Sequence, residues 1–394
     1  MPKKKIRVLL IPSDPYGVGH FRSIWPAQMI QKNHSDEFEV TVNLMTRVLE
    51  EEIGKYDIVH FHRKINEQNE TLDMIKKFRA AGAIIISDID DFWVPFYGHP
   101  ARDLVVSTGL HIDIMEVQRQ SDWVTTTTEI YAKHLRKLNP NVHLIPNAID
   151  ETLPMWKRQR APGDKVRIGW LGGSSHERDL DRIKGTFNKL FADPELKDKF
   201  QVVMCGYDTR GTCTEIHPET GEHKVRKLEP HESVWNQFEA IFNDNGRAPE
   251  GGYLRRTTLP ITQYGKHYNY LDVCLAPLDQ HTFNECKSEL KLIETGMHKI
   301  PLIASNLYRY GEMIEHGVNG FAIEPRKDHK DWAKYIKKII LDPELRESMG
   351  QALYDTVFPE YTLANQTAKR CEWYKQLIAE KQKTLQPDSI VVQS

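Results

Sequence analysis

Two apolar hexapeptides constrain the fold more than any other feature of the chain. Ile6–Ile11 (IRVLLI) and Val166–Leu171 (VRIGWL) carry hydrophobic residues in near-continuous runs rather than at alternate positions. That is the pattern of a strand buried on both faces. Each runs into a glycine-bearing turn, Pro15-Tyr16-Gly17-Val18-Gly19-His20 after the first and Gly172-Gly173-Ser174-Ser175-His176 after the second. Helical periodicity follows each turn, over about residues 21–31 and 179–191. A strand–turn–helix unit at the head of each half predicts an α/β chain of two Rossmann-like, doubly wound parallel-sheet domains facing a shared cleft. The 394 residues exceed one ordinary core and suit two.

Strand signals also fall at 38–44, 57–61, 83–87, 123–127 and 142–145 in the first half, and at 201–205, 271–276 and 302–304 in the second. Helices are expected at 70–81, 288–297 and 362–383. The predicted boundaries are a first domain over 1–150, a linker over 151–165 marked by Pro154, Pro162 and Gly163, and a second domain over 166–360. A terminal helix over 361–383 is expected to pack back toward the first domain, and 384–394 to be a loose tail. The polar stretch 207–264 shows no strand periodicity, only a helix near 233–242.

Hydrophobic residues at 40% and charged residues at 27% describe a globular chain. A net charge of -2 argues against bulk attraction to nucleic acid or to a membrane, without excluding a local patch such as Lys3-Lys4-Lys5. The five cysteines form no CxxC pair, which fits a reducing cytoplasm. No apolar run reaches the roughly 20 residues of a membrane span. A cytoplasmic protein is expected, one that meets any lipid acceptor peripherally, at the inner face of the membrane.

Four motifs carry chemistry. The first is Phe283–Glu294, FNECKSELKLIE. A helix from Lys287 onward would put Lys287, Lys291 and Glu294 within roughly 60° of one another. Lysines with Ser288 at a helix start suit a diphosphate, and a carboxylate one turn on suits ribose hydroxyls. An ordinary charged surface helix has the same spacing. The second motif is Gly17, Gly19, His20 and Arg22, a turn that lets backbone approach an anion, with His20 a possible general acid–base. The third is Gly172, Gly173 and Ser174, the matching turn of the second half. The fourth is Ser87-Asp88-Ile89-Asp90-Asp91, at the C-terminal end of a buried strand, where ligands of open α/β sheets bind. Its carboxylates are costly unless used. Helix capping by Asp90 or Asp91 and a divalent ion at Asp88-x-Asp90 are the competing readings. His60-x-His62 places two imidazoles on one strand face with no third ligand evident, which suits packing or cleft lining.

In this order the motifs resemble the retaining GT-B glycosyltransferases of family 4, the glycosyl transferases group 1. The opening turn resembles that family's glycine loop, and Ile145-Pro146-Asn147-Ala148-Ile149-Asp150 is similar to its interdomain passage. Ile168–Gly173 resembles the second-domain glycine turn, and 272–305 is similar to the region of its E-x7-E signature. The resemblance implies donor ribose on Glu294 and diphosphate near Lys287, Ser288, Lys291, Gly172 and Gly173. The chain departs from the family where the first Glu falls on Cys286, with Glu285 beside it.

The expected reaction is therefore sugar transfer from a nucleotide-sugar to a glycan, a lipid-linked or another acceptor, with retention. No metal and no cofactor beyond the donor are called for, and a UDP-sugar is favoured over a GDP-sugar. Donor contacts are expected from Gly17, Gly19, Arg22, Gly172, Gly173, Ser174, Lys287, Ser288, Lys291 and Glu294, and catalysis from His20, Asp90 and Asp91. Competing readings are a nucleotide-sugar 2-epimerase, a phage-type DNA-base glycosyltransferase and an inactive nucleotide-binding scaffold.

Overall fold

The computed structural model describes residues 4–44, 47–216, 223–325 and 329–385. The expected loose tail lies outside them from residue 386 onward. The chain divides into two compact units. The first comprises residues 1–151, 285–288 and 359–394, and the second 152–284 and 289–358.

The first unit is built on six parallel strands: β1 (Ile6–Ile11), β2 (Phe38–Val42), β3 (Ile58–His62), β4 (Ile84–Asp88), β5 (Trp123–Thr126) and β6 (Val142–Leu144). Their order is β2-β1-β3-β4-β5-β6. Strand alternation splits the apolar residues between two faces. Val8, Leu10, Ile58 and Ile86 enter one buried cluster, while Leu9, Ile11, Val59 and Ile85 enter another. Both faces are thus dry, which is why these strands read as continuous apolar runs. The helix Leu363–Leu385 brings Cys371, Trp373, Tyr374 and Leu377 into the first cluster, beside Ala27 and Ile30.

The second unit holds β7 (Val166–Leu171), β8 (Phe200–Tyr207), β9 (Thr212–Ile216), β10 (His223–Lys227), β11 (Tyr253–Thr257), β12 (Val273–Ala276), β13 (Leu302–Ser305) and β14 (Gly320–Ile323). Six of them form a second sheet, in the order β11-β8-β7-β12-β13-β14, and β9 and β10 pair as a separate antiparallel ribbon. All strand pairs in both six-stranded sheets are parallel. The stretch read as a linker is pinned to this unit. Trp156 is buried, the amide of Ala161 donates to the carbonyl of Asn269 at 2.7 Å, and Arg158 and Arg160 both pair with Asp272.

Three element expectations need correction. The helix over 179–191 is two pieces, Glu177–Asp181 and Thr186–Phe191, broken by Gly185 at φ +85°. The stretch 207–264 contains the β9–β10 ribbon and β11 as well as the helix Val234–Phe242. The helix over 288–297 begins only at Leu290, and a separate turn of helix, Thr282–Cys286, precedes it. No helix among the described residues is long and apolar enough to cross a membrane.

Candidate functional site

In each sheet the strand order reverses once, between β1 and β3 and between β7 and β12. Open α/β sheets bind ligands outside the strand C-termini at such switch points, and the predicted residues gather at both.

In the first unit, β1 leads through Pro12 into Ser13 and Asp14. The Asp14 carboxylate accepts the amides of Tyr16 at 2.8 Å and Gly19 at 3.2 Å and so shapes the glycine turn. A Cβ on Gly19 would lie 1.8 Å from the Asp14 carbonyl oxygen, so only glycine fits. Gly19→Ala is expected to cost ~1 to 3 kcal/mol through overpacking, read as a lower denaturation midpoint in urea. Gly17 opens the same turn. His20 is half-buried, and its Nδ1 donates to the Tyr16 carbonyl at 2.8 Å.

Arg22, expected beside the donor, is instead enclosed at 2% exposure. It makes four hydrogen bonds there: two to the Asp88 carboxylate at 2.8 and 2.7 Å, one to the Ile145 carbonyl at 2.6 Å and one to the Asn147 side chain at 3.1 Å. Asp88 also accepts from Thr125 at 2.6 Å. Asp88 therefore closes an interior ion pair, which removes it from any Asp88-x-Asp90 metal site. Among the described residues, no three His, Cys, Asp or Glu side chains are grouped to hold a metal ion.

Sequence reasoning missed the wiring of His62. This ring is fully enclosed, with Nδ1 2.7 Å from the Ser13 hydroxyl and Nε2 2.9 Å from the Asp90 carboxylate. Ser13 also donates to Asp14 at 3.0 Å. Asp14 and Asp90 only accept, and Ser13 has a single proton. All three bonds are satisfied together when both ring nitrogens of His62 carry hydrogen. His60, its neighbour on the same face, is bonded to Tyr374 and Thr125 and serves packing.

Asp90 and Asp91 face Arg63, at 3.2 and 3.4 Å. Burial alone would push the Asp90 carboxyl up, but His62 and Arg63 hold it well below the usual carboxylate range. Asp91 moves the other way: burial and then the neighbouring Asp90 charge raise it, against the pull of Arg63 and Lys287. The Tyr131 hydroxyl fixes the Asp91 carbonyl at 2.7 Å. One carboxylate is thus kept ionised and its neighbour is biased toward holding a proton, an arrangement suited to acid–base work.

Lys287 and Ser288 do not share a helix face with Lys291 and Glu294. They lie in the 285–288 segment of the first unit, where Cys286 is buried among Ile89, Ile114, Val124, Tyr131 and Leu135. The Ser288 hydroxyl accepts from Asn147 at 3.0 Å. A helix continuous through 287–297 would pull Cys286 and Ser288 off these partners. Burial pushes the Cys286 thiol up to about 12, so it is a neutral core group and no substitute for a carboxylate.

In the second unit, β7 delivers Leu171 to the turn at Gly172, Gly173 and Ser174. The Lys291 ammonium donates to the Leu171 carbonyl and lies 5.2 Å from the centre of the Trp170 ring. Gly173 and Ser174 are exposed, and a Cβ on Gly173 would meet nothing within 4 Å. Three residues along the helix Leu290–Met297, Glu294 is 1% exposed. Its Oε2 accepts from Tyr268 at 2.7 Å and from Tyr264 at 3.4 Å. Its Oε1 is buried with no hydrogen-bond partner among the described residues. Burial raises the carboxyl to about 7, against the lowering effect of Tyr268, Lys291 and Tyr264. A buried acceptor without a donor is costly, and a hydroxyl donor placed against it would satisfy it.

The family model for glycosyl transferases group 1 matches residues 290–356, the stretch holding Lys291 and Glu294. No curated protein matches the chain by sequence. Among solved structures, sucrose-phosphate synthase from Thermosynechococcus elongatus is similar, with a TM-score of 0.66 at 12% identity over 95% of this chain and 100% of its own. The fold is GT-B. HepE of Anabaena in complex with UDP-glucose gives 0.62 at 12% identity, over 94% of this chain and 99% of its own. The trehalose-6-phosphate synthase OtsA gives 0.56 at 14% identity, over 81% and 72%. At such identities the GT-B likeness carries architecture, and the reaction has to be argued from the residues.

Proposed function

We propose that the protein is a glycosyltransferase of the group 1 type, moving a hexosyl or related residue from a nucleotide-sugar to an acceptor. One observation carries this reading: a buried carboxylate oxygen of Glu294 without a donor, one turn from a lysine held at a glycine turn, inside the segment that the family model matches. Glu294 would take the ribose hydroxyls. Lys291 and the amides of Gly173 and Ser174 would take the diphosphate, whose charge grows as the bond to the sugar breaks. This chemistry needs no metal, because the ammonium and the amides do what a divalent ion does elsewhere. Retention of configuration and a UDP-sugar as donor belong to the same proposal. UDP is favoured because a neighbour of the same fold is described with UDP-glucose.

On the first unit, Asp91 is the group best placed to exchange a proton with an acceptor hydroxyl, with Asp90 and His20 beside the same strand ends. The acceptor proposed is a glycan or a lipid-linked sugar, as in polysaccharide assembly, and a lipid acceptor would be met peripherally at a membrane.

A thermal-shift panel of UDP-glucose, UDP-N-acetylglucosamine, GDP-mannose and dTDP-glucose tests the donor half. A ligand at a hundred times its Kd adds about 2.7 kcal/mol of stability, a rise in Tm of several degrees. At least one UDP-sugar is expected to give it and Lys291→Ala to lose it. A flat panel overturns the reading. Conversion of the donor with no acceptor present would point to an epimerase instead.

A further inference from the structure

A cavity of about 200 Å³ is lined by Ser13, Asn43, Arg47, Lys64, Asn66 and Glu67 over a floor of Ile11, Pro12 and Val48, residues that follow β1, β2 and β3 in the chain or end β1. It lies at the strand C-termini, on the β1/β3 side where the strand order reverses. We propose that this cavity seats a single sugar ring of the acceptor, an inference that rests on the transferase reading above.

Size sets the first limit. Sites for drug-sized ligands run to roughly 300–1,000 Å³, so this cavity suits one ring rather than a disaccharide. Lining chemistry sets the second. A hydroxyl, two amides, two cations and one carboxylate offer both donors and acceptors, as a ring of hydroxyls requires. The cations are held by exposed ion pairs, Arg47 to Glu70 at 2.6 Å and Lys64 to Glu67 at 3.2 Å. Such pairs are worth ~0 to 1 kcal/mol, so both partners can turn to a ligand at small cost.

The wall of the cavity is fixed from behind. Asn66, at φ +57°, ties the two loops together by accepting the Val48 amide at 2.8 Å and donating to the Val48 carbonyl at 3.3 Å. Ser13 is oriented by the enclosed His62, whose other nitrogen bonds Asp90. The cavity hydroxyl is therefore one imidazole away from the Asp90–Asp91 pair. A ring seated here would meet a hydroxyl whose orientation is set by a buried side chain rather than by a mobile one.

The test reads sugar and nucleotide binding separately. Saturation-transfer NMR is recorded with methyl α-glucoside, methyl α-mannoside, methyl α-galactoside and methyl N-acetyl-α-glucosaminide, with and without UDP. UDP affinity is measured by calorimetry. At least one glycoside is expected to bind the wild type. Val48→Phe, which fills the cavity, is expected to weaken it at least tenfold, and Ser13→Ala about fivefold, with UDP affinity unchanged within twofold. Absence of binding by all four glycosides overturns the proposal, as does binding that survives in folded Val48→Phe. If circular dichroism shows that Val48→Phe does not fold, Ser13→Ala decides: unchanged binding overturns the proposal. Failure of UDP alone would instead remove the donor assignment on the second unit.

Discussion

Arg22→Leu is expected to destabilise the first unit by ~3 to 5 kcal/mol, the usual consequence of removing one partner of a buried ion pair. Among the described residues Asp88 would keep the Thr125 hydroxyl as its side-chain donor while staying 3% exposed. The carbonyl of Ile145 and the side chain of Asn147 would lose the same guanidinium. Domain stabilities are commonly about 5–15 kcal/mol, so roughly a fifth or more of the total is at stake. The pH dependence gives the cause away. In the wild type, burial pushes the Asp88 carboxyl up, but the charge and hydrogen bonds of Arg22 bring it well below its ordinary value. A depressed folded pKa adds stability above the unfolded value near 4, and that stability is lost as pH falls. Without Arg22, burial is opposed by the weaker pull of His62, His60 and the Thr125 hydroxyl, and the sign is expected to reverse: the variant should lose stability as pH rises from about 4 to about 8. Urea denaturation across that range measures it, and Arg22→Leu with Asp88→Leu should recover part of the loss. A cost below 1 kcal/mol, or an unchanged pH slope, would mean that the pair is not the strut its geometry describes.

That pair also marks where sequence reasoning stops. The apolar runs Ile6–Ile11 and Val166–Leu171 are readable to the residue because a strand buried on both faces is apolar at nearly every position, Arg7 and Arg167 near the strand starts being the exceptions. The β9–β10 ribbon was invisible for the opposite reason. Its segments TCTEI and HKVRK are polar at most positions, so no alternation announces a strand. The acidic cluster after β4 could be seen as a cluster, but not which carboxyl turns inward. That depends on Arg22, 66 positions away from Asp88. His62 likewise takes its role from Ser13, 49 positions away. The group around Lys287 failed on a subtler point. Helical spacing correctly couples Lys291 with Glu294, but periodicity cannot register that Cys286 is claimed by a core cluster elsewhere, which breaks the helix before Leu290. Local pattern therefore located most of the elements and the turns, while long-range pairing decided which charges are held in structural pairs.

Glu294 should make nucleotide binding depend on pH in a way that can be traced to one atom. Its carboxyl is raised to about 7 by burial, with Tyr268, Lys291 and Tyr264 only partly offsetting it. A raised folded pKa contributes stability below the unfolded value near 4.5 and loses it as pH rises through 7. At about 1.4 kcal/mol per pH unit, the empty protein should lose up to ~3 kcal/mol between pH 4.5 and 8 from this group. Glu294→Gln removes that loss. Ribose hydroxyls donate to the carboxylate and not to the protonated oxygen, so a nucleotide selects the ionised form. UDP affinity should then improve up to about tenfold per unit from pH 5 to 7 and flatten above, with release of close to one proton at pH 6 and none at pH 8.5. Calorimetry in two buffers of different ionisation enthalpy counts that proton directly. Glu294→Gln should bind UDP at least tenfold more weakly at pH 8 and show no slope, because an amide donates where the ribose also donates. If the variant kept both the wild-type affinity and the wild-type slope, the orphan oxygen of Glu294 would have no part in holding a nucleotide, and the donor would have to be sought on other residues.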